Sequence, residues 1–120
     1  PKVILLMEWV LQQDESIQFG SPHLFLGVFH AALPPALGGK PDRALFHFNR
    51  ALEISQDHLL MPRVLIAHYY ARQIFDRQLY ESLLQEVLIL PIDTVPELTL
   101  QNVAAQRQAR QLLKETDDFF

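Results

Sequence analysis

Residues 23–55 read HLFLGVFHAALPPALGGKPDRALFHFNRALEIS, and this stretch decides the predicted fold. Its first part is apolar and ends at two prolines, and its second part begins at Pro41, a residue that favours the first turn of a helix. The second part also carries the A-x3-F-x2-A signature of a tetratricopeptide hairpin, at Ala44, Phe48 and Ala51. The stretch therefore predicts two antiparallel helices joined by a loop over residues 34–40.

The rest of the chain has the spacing of apolar residues that is typical of amphipathic helices, interrupted by Pro, Gly and Asp. Ser21 is the predicted N-cap of the second helix, and Asp76 that of the fifth. We predict six helices, over about residues 3–12, 22–33, 41–55, 59–74, 77–90 and 96–115. The predicted fold class is all-α, with antiparallel helical hairpins stacked as a tetratricopeptide-like right-handed solenoid.

A second, more degenerate copy of the hairpin follows about 35 residues after the first and ends at Pro91. A generic helical hairpin would explain this second copy almost as well. We predict one helical-repeat domain over residues 1–120, with hairpins at about 21–56 and 59–91 and a terminal helix at about 96–115. Because such hairpins bury their apolar faces only by stacking, we expect the chain to be the C-terminal portion of a longer protein.

Composition narrows the possible functions. The 120 residues are 49% hydrophobic with a net charge of −4 and no cysteine. This composition excludes a disordered chain, a disulfide scaffold, a zinc ribbon and a thiol nucleophile. The sequence pI of about 5.6 argues against nucleic-acid binding. No apolar run reaches the length of a transmembrane helix.

The polar residues indicate no catalytic, metal or cofactor site. His23 and His30 are two helical turns apart, which is too far for the usual pairing of helical histidines on one ion. The serines read as caps, turns or helix surface. Gly38 and Gly39 precede a helix without a phosphate-loop signature, so we expect a tight turn, and binding of a partner's carboxylate by their backbone amides stays open.

The repeat register also predicts a binding surface. First helices of stacked hairpins line a concave face, here with Leu24, Val28, Met61, Val64, His68 and Arg72. Such a face suits an apolar ligand tail or a partner helix, with Arg72 meeting a carboxylate. Most of the aromatic residues are expected in the core between helices, namely Phe25, Phe29, Phe46, Phe48, Tyr69 and Tyr70.

Several segments together resemble the T component of tripartite ATP-independent periplasmic (TRAP) transporters. They are residues 23–55, VLIAHYYARQIFDRQLYESLLQEVL (64–88), PELTLQNVAAQRQARQLL (96–113) and the ending TDDFF. The most specific part is the loop motif PPALGG, which contains Pro34, Pro35, Gly38 and Gly39. One departure is Lys40, where an acidic or polar residue is common.

The resemblance implies a tetratricopeptide-like periplasmic lipoprotein, anchored through a cysteine that these residues lack. It further implies a non-enzymatic scaffold that associates with the solute-binding protein of the transporter. Self-association is also expected from the apolar excess. The alternative is a generic tetratricopeptide adaptor that binds a partner peptide in its concave face. Such adaptors usually display Lys, Arg and Asn on first helices, where this chain is mainly apolar.

Overall fold

The computed structural model describes residues 2–14 and 17–120 and confirms the predicted all-α class. Within these ranges there is no strand, and no helix is long and apolar enough to cross a membrane. The α-helices are α1 (Lys2–Gln13), α2 (Ser21–Ala31), α3 (Pro41–Ile54), α4 (Met61–Leu65), α5 (Arg77–Ile89), α6 (Thr99–Lys114) and α7 (Thr116–Phe119). Shorter segments are 3₁₀-helical at Ile17–Gly20, Pro35–Leu37 and Pro96–Leu98, and π-helical at Ile66–Ala71.

The helix ends correct some predictions and confirm one. Asp76 caps α5 as predicted, because its side chain accepts a hydrogen bond of 2.9 Å from the backbone amide of Leu79. The prediction for Ser21 is wrong, since this residue already lies in α2 and the cap is Gly20. Gly20 has a φ of 86°, a left-handed conformation that glycine adopts without steric cost. The predicted fourth helix contains an unforeseen π-helical turn, and the sixth opens with a 3₁₀ turn.

Helices α2 and α3 approach closely at Gly27. A Cβ atom at this position would lie 2.3 Å from Cε1 of Phe48, a side chain that is fully buried. The two alanines of the A-x3-F-x2-A motif are fully buried beside it, at positions 44 and 51. Small residues here let the aromatic ring fill the crossing point. The arrangement of successive hairpins as a solenoid stays a prediction.

Two hydrophobic clusters form the core, and the π-helical turn contributes to both. The first cluster joins α2, α3 and Ile66. The second joins α4, α5 and α6 with Ala67 and Ala71. The turn therefore connects the α2–α3 pair to α4, α5 and α6.

Candidate functional site

The accessible residues predicted for the concave face are distributed over three adjoining cavities. Leu24 and Val28 line an apolar cavity of about 560 Å³, whereas Leu24 and Met61 line a smaller one of about 270 Å³. His68 and Arg72 line a third cavity of about 510 Å³. Val64 lies on none of them, because its side chain is fully buried in the second core cluster. For Val64 the prediction of an accessible position is wrong.

The apolar cavity is a groove on α2 and the residues just after it, which we call the α2 groove. Phe25 and Phe29 were expected in the core but are 41% and 43% exposed. The reason is the register of α2, whose buried face consists of Pro22, His23, Leu26, Gly27 and Ala31. The two rings, four residues apart, therefore point outward. The groove is lined by Leu24, Phe25, Val28, Phe29, Ala32 and Leu33.

The third cavity, called the Arg72 cavity, combines predicted residues from two parts of the chain. Pro34 and Pro35 come from the motif loop, whereas Gly38 and Gly39 of the same loop are outside the lining. The full lining is Ala31, Ala32, Pro34, Pro35, His68, Tyr69, Arg72, Gln73, Phe75 and Phe119. Ala32 also lines the α2 groove, so the two cavities are neighbours.

Arg72 is a cation without a carboxylate partner in this cavity. Its guanidinium carbon lies 3.6 Å from the centre of the Phe119 ring, in a cation–π contact. Its Nη1 atom donates a long hydrogen bond of 3.4 Å to Nδ1 of His68. Among the residues that the structure describes, ion pairs form at Arg50, Arg63 and Arg77 but not at Arg72.

His68 is the second polar group of the Arg72 cavity. Burial lowers the pKa of His68, the positive charge of Arg72 lowers it further, and Glu115 opposes the shift. The lowered pKa favours the neutral imidazole. Because an arginine can only donate, Nδ1 is the acceptor and the ring proton lies on Nε2. His68 thus supplies an N–H donor and no counter-charge for Arg72.

The π-helical turn Ile66–Ala71 contains His68 and Tyr69 and ends just before Arg72. A π turn inserts an extra residue into a helix and so rotates the side chains that follow it. The segment IAHYYA has no proline or glycine to announce such a turn. The sequence therefore predicts one regular helix over residues 59–74, and the π turn departs from this prediction.

A histidine cluster on α2 and α3 was also missed. The Nδ1 atoms of His23 and His47 lie 2.8 Å apart, and the rings of His30 and His47 are stacked with centroids 5.7 Å apart. Burial and the neighbouring histidines lower the pKa of His47 to about 4. His23 and His30 are two helical turns apart on α2, and the ring of His47 from α3 lies between them. No group of three or more candidate ligands in the described ranges could hold a metal ion.

The amides of the motif loop are used within the loop. Gly39 donates to the carbonyl of Pro34 at 3.0 Å, and Gly38 donates to that of Pro35 at 3.1 Å. A Cβ atom at Gly39 would lie 1.7 Å from the carbonyl oxygen of Leu33, so the turn needs glycine there. These amides cannot bind a partner's carboxylate without breaking the turn. The alternative that the loop amides form a carboxylate site is therefore not supported.

Comparison with known proteins identifies the family. The protein-family model described as TRAP transporter T-component matches residues 1–120. A search of curated proteins finds no match. The resemblance carried by the loop motif and its flanking helices is thereby confirmed over the whole chain, and the chain belongs to the T-component family of TRAP transporters.

Proposed function

We propose that this chain is a periplasmic scaffold that binds the solute-binding protein of its TRAP transporter through the α2 groove. As a T component it is an accessory part of the transporter. The observation that carries the proposal is the groove itself, a cavity of about 560 Å³ whose described lining is entirely apolar. Contiguous apolar surface on a soluble domain usually marks an interaction site.

The shape of the groove supports a helix or an apolar ligand tail as its occupant. Leu24, Val28 and Leu33 provide aliphatic walls, and two partly exposed phenyl rings stand beside them. A partner helix inserts apolar side chains at every third or fourth position into such a groove. The exposed aromatic rings are the type of residue that dominates binding energy at interfaces.

The test is the affinity of the complete protein for the solute-binding protein of the same transporter, measured by calorimetry. Phe29→Ser removes a ring from the groove and should weaken binding about tenfold or more, because burying a phenyl group contributes about 1.5–3 kcal/mol. Ile89→Ser is the matched control, since Ile89 is 82% exposed on α5 and outside the groove. Equal affinities of wild type and Phe29→Ser would contradict the proposal.

Self-association and lipid anchoring stay predictions of the same proposal. The 120 residues contain no cysteine, so a lipidated cysteine would have to lie outside them. Light scattering of the complete protein at several concentrations tests self-association. Mass spectrometry of the protein from its native membrane fraction tests for an acylated cysteine.

A further inference from the structure

The Arg72 cavity has chemistry that the proposed scaffold role does not use. A guanidinium group lies in a concave site with apolar walls, and no carboxylate of the described chain forms an ion pair with it. The chain as a whole is acidic, with 14 acidic residues against 10 basic ones. An arginine left unpaired in such a chain is available to an anion from outside.

We propose that the Arg72 cavity binds a small organic carboxylate whose body is apolar. The proposal goes beyond the scaffold role, because the site lies within this chain and requires no partner protein. Its volume of about 510 Å³ falls within the range typical of small-molecule sites. Its apolar walls include two prolines and the phenyl rings of Phe75 and Phe119.

The contacts of Arg72 orient it for a carboxylate. Phe119 lies against the guanidinium at 3.6 Å, and Nη1 reaches His68 on the same helix. A planar guanidinium that stacks on a ring keeps N–H groups at its edge, where a carboxylate binds in a bidentate manner. The Nε2–H group of His68 is an additional neutral donor.

The other described polar groups near the cavity form no ion pair with Arg72. Gln73 uses its amide to donate to the carbonyl of Ala31 at 2.9 Å. Glu115 is close enough to raise the pKa of both His68 and Tyr80, but among the described residues it forms no ion pair with Arg72. Its carboxylate instead accepts a hydrogen bond from Gln111 at 2.9 Å. The negative charge of Glu115 therefore repels an incoming anion, and removing this charge provides a test.

The experiment titrates the complete protein with benzoate and with benzamide, its uncharged analogue, and follows binding by NMR. We expect benzoate to bind about tenfold more tightly or better, because a charge-assisted hydrogen bond contributes about 1.5–3 kcal/mol. Arg72→Gln should remove this preference. Arg107→Gln is the matched control, since Arg107 is exposed on α6 and outside the cavity. Glu115→Gln should strengthen benzoate binding and serves as a second variant if Arg72→Gln does not fold.

Three results would overturn the proposal: no binding of benzoate at millimolar concentration, equal affinity for benzoate and benzamide, or unchanged benzoate binding in both cavity variants. A carboxylate side chain of a partner protein has the same charged group, so the solute-binding protein is titrated in parallel. If Arg72→Gln weakens only that complex, the carboxylate belongs to the partner and the small-molecule site is rejected. If the wild type binds benzoate but does not bind the solute-binding protein, the proposed function is contradicted and the carboxylate site is not.

Discussion

At the scale of single residues, Asn102 links three segments of the chain through one buried side chain. Its side chain is 1% exposed, and its Oδ1 atom accepts a hydrogen bond of 3.0 Å from the amide of Leu60. Its Nδ2 atom donates to the carbonyls of His58 and Ile92, at 2.9 and 3.1 Å. One amide group thus joins α6 to the residues before α4 and to the loop after α5.

Asn102→Ala should lower the free energy of unfolding by about 3 kcal/mol, because it leaves the buried amide of Leu60 and the partly buried carbonyls of His58 and Ile92 without this partner. Urea unfolding monitored by circular dichroism measures the change. Gln101→Ala, at the exposed neighbouring position, should change stability by less than about 0.5 kcal/mol. A similar small effect for both variants would show that Asn102 is not a structural link.

The sequence predicts the capping role of Asp76 but not the role of Asn102 as a link between segments, and the reason is physical. A helix cap is a local interaction with an amide three residues away, so spacing along the chain reveals it. Asn102 bonds to groups 44, 42 and 10 residues away. Because α6 is rich in glutamine, its sequence suggests that the amide of Asn102 also faces solvent. Only the packing of α4 and α5 against α6 shows that this amide is buried.

At the scale of elements, the α2–α3 crossing depends on the absence of a side chain at Gly27. Gly27→Ala should destabilise the protein by about 1–2 kcal/mol, since the clash with the buried ring of Phe48 exceeds the gain in helix propensity of about 1 kcal/mol. Urea unfolding of both single variants and of Gly27→Ala with Phe48→Leu completes a double-mutant cycle. If the two changes are additive, the ring does not set the crossing distance.

The histidine cluster between the same two helices should make stability depend on pH. Well above pH 6.5 the His47 imidazole is neutral in the folded and the unfolded chain and contributes nothing to the pH dependence. As the pH falls from 6.5 towards about 4, the unfolded chain binds a proton that the folded chain does not, so the folded state loses stability in this window. The charges that oppose protonation are those of His23, His30 and Arg43.

Urea midpoints at the two ends of this window measure the effect. Between these two pH values the His47→Gln variant should lose less stability than the wild type. Subtracting the loss of the variant from that of the wild type removes the contribution of titrating carboxylates, which both proteins share. A pH dependence identical to that of the wild type would exclude His47 as its source. Periodicity could not foresee this cluster, because the repeat register of α3 says nothing about the rotation that brings His47 between two residues of α2.

At the scale of the whole molecule, burial is uneven. Helix α1 has a single buried side chain, Ile4, while Val3, Leu5, Leu6 and Trp9 are at least half exposed. Helices α5 and α6 share the larger core cluster. All-α class and approximate helix bounds could be predicted because apolar spacing encodes them, but the unequal distribution of contacts depends on long-range packing.

Hydrogen exchange should follow this distribution, with the amides of α1 exchanging fastest and those of α5 and α6 slowest. Mass spectrometry of peptides from a protein that consists of these 120 residues measures the rates. Adding the solute-binding protein should slow exchange in α2, where the groove lies, more than in α5. Protection of α1 equal to that of α5 in the free protein would mean that its apolar face is already covered.

The hydrogen bond from Gln73 to the carbonyl of Ala31 joins two walls of the Arg72 cavity, one from α2 and one from the segment after the π turn. We expect this bond to keep the two walls in place, so that a ligand enters without a prior rearrangement of the chain. A stopped-flow trace should consist of one exponential phase whose rate rises linearly with ligand concentration and reaches no plateau, so that dissociation alone sets how long a carboxylate stays.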